Sequence, residues 1–280
     1  MSFSTHPYSG ITAALATKHQ KEKILAPVFK GLNISIAHVE IDTDQLGTFS
    51  GEIPRLQSPK ETVIKKARMG MAEANLRYGV ASEGSIGPDS NLLFVNSDIE
   101  LMAWIDDENG IELVESIKSF EIIAQTASFD KNQSYEEFLE KIDFPNHAVI
   151  LRGDSPDSPI FKGINDQTNL NKLINQIFKV SKSITIENDL RAHCSPSRRV
   201  NIERLANKLI ERLTNLCKKC NSPGWGVVDH LFGLPCVDCG EINSDAVSGK
   251  ILGCCKCDFR EEVLSETRVI PAAQCLLCNP

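Results

Sequence analysis

The sequence predicts an α/β domain followed by a small cysteine-rich module, and three observations carry that reading. Strand-like and helix-like periodicities alternate through the first 200 residues. Nine of the ten cysteines fall between Cys217 and Cys278, with Cys194 alone before them. At 280 residues the chain exceeds the common single-domain size, so one large unit and one small one are expected. The division falls at residues 1–210 and 211–280. Hydrophobic residues at 41% and charged residues at 24% supply an ordinary globular core.

In chain order, ITAALAT (11–17) reads as a buried strand, and the next segment puts Ile24, Leu25, Val28, Phe29 and Leu32 on one helical face. NISIAHVEI (33–41) is the second strand. At SPKE, Ser58 is a good N-cap, Pro59 suits the first helical position and Glu61 stands where a capping box needs its carboxylate. Val63, Ala67, Met71 and Ala74 continue the buried face of that helix. GVASEGS (79–85) is a strand entering a glycine-containing loop. NLLFVN, DIELMAWID and GIELVESIKSFEIIAQ form a meander that turns at DDENG (106–110). SYEEFLEKI, the strand HAVILR, the helix TNLNKLINQIFKV and a last helix from Val200 to Leu216 complete the domain. Ile202, Leu205, Leu209 and Leu213 form the last helix's apolar stripe, and its direct run into Cys217 predicts a rigid junction.

The cysteines come as four Cys-x-x-Cys pairs: Cys217 and Cys220, Cys236 and Cys239, Cys254 and Cys257, Cys275 and Cys278. Two residues between thiolates let one tight turn offer both sulfurs to a single ion, and two such turns complete a tetrahedral four-sulfur site. Eight ligands predict two structural Zn²⁺ ions in a zinc-ribbon-like module. The spacing allows the pairs to join consecutively or to interleave, and iron–sulfur ligation uses the same thiolates. Cys255, between two candidate ligands, is expected to stand outside the sites. A disulfide framework fits poorly with an N-terminus that lacks a signal-like pattern, and four copies with similar gaps exceed what a redox-active thioredoxin-like site uses.

A formal net charge of -7 argues against general affinity for nucleic acid or anionic membrane. Residues 211–280 carry seven Lys or Arg against nine Asp or Glu, so nucleic acid is not the expected partner of the module. No stretch reaches the ~18 apolar residues of a membrane span, and a cytoplasmic protein is expected. The apolar run GWGVVDHLFGLP (224–235) is suited to pack on the main domain or on a second copy of the chain in a homodimer.

The segment ATKHQKEKIL (15–24) lies at the carboxyl end of the first strand and the start of a helix, where ligands collect in open α/β sheets. Thr17, Lys18, His19, Lys21 and Lys23 are candidate phosphate contacts. Glu61 and Glu83 are candidate carboxylates for Mg²⁺ or for orienting water, with Lys66 between them in sequence. HCSPSRR lacks the five-residue Cys-to-Arg spacing of a cysteine-phosphatase loop, which removes that reading.

This combination resembles the inosine triphosphate pyrophosphatase-like superfamily. The resemblance rests on Thr17, His19 and Lys21 or Lys23 after the first strand, Glu61, Lys66 and Ala67 on a helix, Glu83 and Gly84 at a strand end, and Ser197, Arg198 and Arg199 before the last helix. It implies a mixed-sheet domain that hydrolyses nucleoside triphosphates to monophosphate and pyrophosphate with Mg²⁺. His19 departs from the usual asparagine, and Ser82 stands where many relatives have an aspartate. Over its whole length the chain looks like a bacterial family of unknown function, through ATKHQKEKILAP, DTDQLGTFSGEIPR, ASEGSIGP, DLRAHCSPSRR and GLPCVDCG. That likeness draws attention to Asp44 and Arg55 in a polar loop and to Arg191, Arg198 and Arg199 as substrate contacts.

The expected activity is Mg²⁺-dependent hydrolysis of a nucleoside triphosphate or related phosphorylated nucleotide, with Glu61 and Glu83 catalytic. The alternative is a non-catalytic nucleotide or phosphate-ligand binder that uses the cysteine module as an interaction surface.

Overall fold

Residues 6–41, 57–92 and 94–279 are described by a computed structural model. The chain forms β1 (Thr12–Ala16), α1 (Glu22–Phe29), β2 (Ser35–Val39), α2 (Pro59–Ala74), β3 (Tyr78–Pro88), β4 (Asn96–Asp106) and β5 (Ile111–Ser119). After these come β6 (Thr126–Asp130), α3 (Glu136–Lys141), β7 (Val149–Gly153), β8 (Phe161–Ile164), α4 (Gln167–Ile177), β9 (Ser183–Asn188) and α5 (Pro196–Thr214).

The first sheet has the order β2-β1-β3-β4-β5, with β2, β1 and β3 parallel and β4 and β5 antiparallel. The alternation of side chains along a strand assigns its two faces. Val63, Ala67 and Met71 of α2 pack on Ala14, Ala81, Ala103 and Ile105. On the other face, Leu25 and Phe29 of α1 and Ile202, Leu205 and Leu209 of α5 pack around Leu15, Val80, Met102 and Trp104. Ser58 caps α2 in a full capping box with Glu61, as its sequence predicts. The last helix starts at Pro196 rather than Val200, because the Ser195 side chain accepts the Arg198 N–H and Pro196 occupies the first turn. β3 continues past Ser85 to Pro88, held by its pairing with β4 down to Pro88↔Asn96.

A second sheet, antiparallel throughout and ordered β6-β9-β7-β8, follows the first. Leu170, Ile174 and Ile177 of α4 and Leu139 of α3 cover one face of it against Val149, Leu151, Ile184 and Ile186. Only β7 of these four strands is legible as HAVILR.

Beyond Asn215, β10 (Gly226–Pro235), β11 (Ile242–Gly253) and β12 (Arg260–Leu264) make a three-stranded antiparallel sheet that carries the cysteine turns. The run 224–235 supplies β10, and its two ends face inward: Trp225 and Leu234 are buried, whereas Val227, Val228 and Phe232 between them are exposed. Among the described residues, no helix is long and apolar enough to cross a membrane.

Candidate functional site

Charged side chains gather at the carboxyl ends of β1 and β3, on both faces of the first sheet. Ser82 and Glu83 are consecutive on β3 and therefore point to opposite faces. On the α1 face, the buried Lys21 Nζ donates to Ser82 Oγ at 2.9 Å and to the Ser82 carbonyl at 3.2 Å. On the α2 face, Lys66 Nζ lies 2.5 Å from Glu83 Oε2. Burial and then the nearby Arg198 guanidinium press Lys21 down to about 8, against the opposing pull of Glu100.

Gly84 and Glu100 are cross-strand partners on the same face as Ser82. Arg198 is fully buried against them, with Nε 2.5 Å from Glu100 Oε1 and an NH1 bond of 2.7 Å to the Leu190 carbonyl. A Cβ at Gly84 would stand 2.5 Å from both the Arg198 guanidinium and the Glu100 carboxylate, so only glycine admits this pair. Two residues back on β4, Asp98 accepts from the Asn201 amide at 2.9 Å. Burial, reinforced by the Glu100 carboxylate, raises Asp98 to about 7. Its Oδ1 and Glu100 Oε2 have no hydrogen-bond partner among the described residues. A proton on Asp98 would supply the donor that both oxygens lack, consistent with Glu100 being among the groups that raise Asp98.

A cleft of about 450 Å³ opens beside this cluster, between Ile86, Gly87 and Pro88 of the first sheet and Ile150, Arg152 and Glu187 of the second. His19 and Arg191 line it as well. His19 stacks on His193 at 5.3 Å, and burial followed by the charges of Lys21 and Arg191 lowers it to about 3. It is therefore a neutral imidazole at physiological pH, a polar wall rather than a cation. Arg191 is held by Asp189 through Nε at 2.9 Å and NH2 at 2.5 Å. Burial alone would raise Asp189, but the Arg191 guanidinium and the Gly163 and Arg191 N–H groups hold it below the usual carboxylate range. Arg152 and Glu187 form a second ion pair on the facing wall.

The remaining candidates are dispersed. Thr17 is buried at the end of β1, where its Oγ1 accepts the His19 N–H at 3.1 Å. Lys18 is exposed. Lys23 is exposed too and bonds Gln20 Oε1 at 2.7 Å, so the lysines two apart in sequence part company. Glu61 is an exposed cap residue whose carboxylate accepts the Ser58 N–H at 2.9 Å and hydroxyl at 2.7 Å. Arg199 is exposed and donates to the His193 carbonyl at 3.3 Å. Asp44 and Arg55 lie outside the described residues. Asp98, Glu100 and Asn201 are not evident from sequence, since an alternating strand shows which residues share a face but not which face is covered.

One further cluster has the order of a hydrolytic triad. His147 bonds Asp143 Oδ2 through Nδ1 at 2.8 Å and Ser197 Oγ through Nε2 at 2.9 Å. Nucleophilic attack also needs free donors for the oxyanion, and here they are spent: the Ser197 N–H goes to His147 Nε2 and the Arg198 N–H to Ser195 Oγ. The Ser197 hydroxyl also accepts the Ile123 N–H. The cluster anchors the first turn of α5, from which Arg198 projects.

Eight cysteines form two groups, Cys217, Cys220, Cys254 and Cys257 in one and Cys236, Cys239, Cys275 and Cys278 in the other, with ligand atoms within 4.8 Å of one another in each. The pairs therefore interleave, first with third and second with fourth. A tetrahedral ion with sulfur bonds of about 2.3 Å has sulfur–sulfur edges of about 3.8 Å. Measured separations are 3.8 Å for Cys217–Cys257, 3.5 Å for Cys220–Cys254, 3.9 Å for Cys236–Cys278 and 3.6 Å for Cys239–Cys275. Those distances fit one ion per group and exceed the ~2.05 Å of a disulfide. Both groups could hold metal. Cys255 stands apart: its thiol donates to the Pro223 carbonyl at 3.0 Å, and it packs on the main hydrophobic core.

The family described as "Domain of unknown function (DUF6671)" matches residues 66–280. No curated protein and no solved structure matches the chain.

Proposed function

The chain belongs to that family of unknown function, and we propose that it binds a phosphorylated nucleotide in the cleft between its two sheets and hydrolyses a phosphoanhydride bond there, releasing pyrophosphate. The carrying observation is the density of buried charge beside the cleft. Lys21, Glu83, Glu100 and Arg198 are all at least nine-tenths buried, and Lys66 joins them. Taking ions out of water costs several kcal/mol each, and such clusters concentrate at functional sites. The cleft is within the range of small-molecule sites, about 300–1,000 Å³.

In this reading, past the end of β1 where β3 runs on without that neighbour, the Lys21 ammonium on one face and Lys66 on the other compensate phosphate charge and the Glu83 carboxylate orients the attacking water, although none of the three lines the cleft itself. Arg191 and neutral His19 position the ligand at the mouth, and Arg198 acts from behind Gly84. Mg²⁺ arriving with the triphosphate would neutralise phosphate charge, with Glu83 the carboxylate placed nearest the lysines. The motif order shared with the inosine triphosphate pyrophosphatase-like superfamily supports the same chemistry. Zinc fits the four-thiolate groups, whose saturated ligand sets suit structural ions, and a reducing cytoplasm fits free thiolates.

A second reading, binding without turnover, is favoured by the carboxylates themselves. Glu61 is engaged in its capping box and Glu83 is ion-paired, so each of the two expected metal carboxylates already has a partner.

Turnover separates the two. Zinc-loaded protein with Mg²⁺ is offered a panel of nucleoside triphosphates, inosine and xanthosine forms included, and pyrophosphate and phosphate are assayed separately. Pyrophosphate release abolished by Glu83→Gln sustains hydrolysis. Calorimetric binding without turnover gives the second reading, and neither binding nor turnover removes both.

A further inference from the structure

The two cysteine groups are built alike but seated differently. The proximal group, Cys217, Cys220, Cys254 and Cys257, begins directly after α5, and a bridge between Leu216 and Pro223 closes its first turn. Cys217 and Cys254 are buried with Trp225, whose ring stacks on Phe259 at 5.3 Å. Its surroundings are tied to the α/β domain at three points. Cys255, adjacent to a ligand, packs on the core that contains Tyr8, Trp104 and Leu113. Lys256 Nζ donates to Asn109 Oδ1 at 3.1 Å. Arg212 of α5 donates through Nε to the Gly224 carbonyl at 3.2 Å and pairs with Glu115 of β5.

The distal group, Cys236, Cys239, Cys275 and Cys278, sits on a small cluster of Leu234 and Ile270 with Ala246 and Ala272. Both second cysteines of its pairs are exposed, and so are Val237, Ile242, Leu276 and Leu277 around them. Among the described residues, no hydrogen bond or ion pair joins residues 234–248 or 265–279 to anything before Leu216.

We propose that the two groups have separate duties: the proximal group is a structural metal site integral to the α/β core, and the distal group is an exchangeable site for a thiophilic d¹⁰ ion. This rests on the reading of both groups as zinc sites. A ligand set opens to a competing chelator only when its surroundings open, and the free energy of local opening follows how much packing is lost. Opening the proximal group disturbs Trp225, Cys255 and the end of α5. Opening the distal group disturbs a cluster of four apolar side chains and leaves the core untouched.

The test uses the full chain loaded with two equivalents of zinc and mixed with excess chromophoric chelator, with release and tryptophan emission followed together. One equivalent is expected to leave roughly tenfold faster or more, equivalent to about 1.4 kcal/mol of opening free energy, without a change in emission. The slow equivalent leaves with a change in emission from Trp225. Cys239→Ser is expected to retain one equivalent, the slow one, with the emission of the wild type. Release of both equivalents in a single phase overturns the proposal. So does a fast phase that carries the emission change, or a Cys239→Ser protein that has lost the slow equivalent. A wild type that takes up no zinc at all rejects the metal reading itself.

Discussion

Lys66 on α2 and Glu83 on β3 meet at 2.5 Å, with side chains 12% and 5% exposed. The pair ties the helix to the sheet strand whose other face holds Lys21. Lys66→Met removes one counter-charge from a buried carboxylate, and breaking a buried pair from one side costs up to about 3–5 kcal/mol. Denaturant unfolding should show a loss of that order. The double variant Lys66→Met, Glu83→Leu should recover most of it while abolishing any turnover. Equal stability in wild type and Lys66→Met would show the pair to be solvated.

Asp98 gives a pH signature of opposite sign to an ordinary salt-bridged carboxylate. Its folded-state value is raised from 3.8 to about 7, so between those values the native state holds a proton that the unfolded chain has released. Its stabilising contribution is complete below the lower value and is lost as pH rises through the upper one. Asp98→Asn, which keeps an acceptor for Asn201, should flatten that part of the stability profile. Urea unfolding at about pH 5 and about pH 8 compares the two proteins across the window. Parallel profiles count against the shared proton.

Lys21 predicts the pH limit of anion binding. Its folded value is depressed from 10.5 to about 8 by burial and by Arg198. Affinity for pyrophosphate should fall as pH rises through about 8 because the ammonium is lost there, whereas the depressed value itself makes Lys21's contribution to stability increase from about 8 toward 10.5. Lys21→Met should bind weakly with no such limb. Lys23→Ala, altered at an exposed side chain, should titrate as the wild type does. Calorimetry across the pH range decides it, and an unchanged limb in Lys21→Met rules Lys21 out.

At the junction, Gly224 has φ +94, and a Cβ there would approach Cys255 Sγ to 2.7 Å. Gly224→Ala combines left-handed strain with overpacking, each of order 1–3 kcal/mol, and should lower the thermal midpoint. Adding Cys255→Ala removes the clash but not the strain, so only part of the loss should return. Full recovery would mean that the backbone there is unstrained in alanine.

Much of this arrangement is legible in sequence because it is local. Ser58, Pro59 and Glu61 define a helix start within four residues, and each Cys-x-x-Cys turn announces a metal half-site. The long-range pairing is not local. Nothing in the spacing distinguishes consecutive from interleaved pairs, since all the gaps are similar. β6, β8 and β9 are short, and alternation such as SITIEN gives a weak signal until its partner strands are known. Lys21 and Lys23 look equivalent in sequence, but they stand two residues apart at the start of α1, so one points beneath the sheet edge and the other into water. Alternation puts Asp98 and Glu100 on one face of the meander, but only the packing of α5 shows that this face is covered.

Interleaving also orders the birth of the protein. The loop from Cys220 to Cys254 spans 34 positions and that from Cys239 to Cys275 spans 36, and each encloses one half of the other site. As a chain emerges from the ribosome, the first half of the distal site is exposed before the proximal site can close, and four thiols with no completed partner set are present together. A wrong consecutive pairing of Cys217, Cys220, Cys236 and Cys239 is then the nearest competitor. The α/β domain precedes the module in synthesis, and domains fold as units from the N-terminal side. Once folded, it holds Cys217 at the end of α5 and provides the surface on which Cys255 lands, so the finished domain acts as a template that selects the correct partner turn.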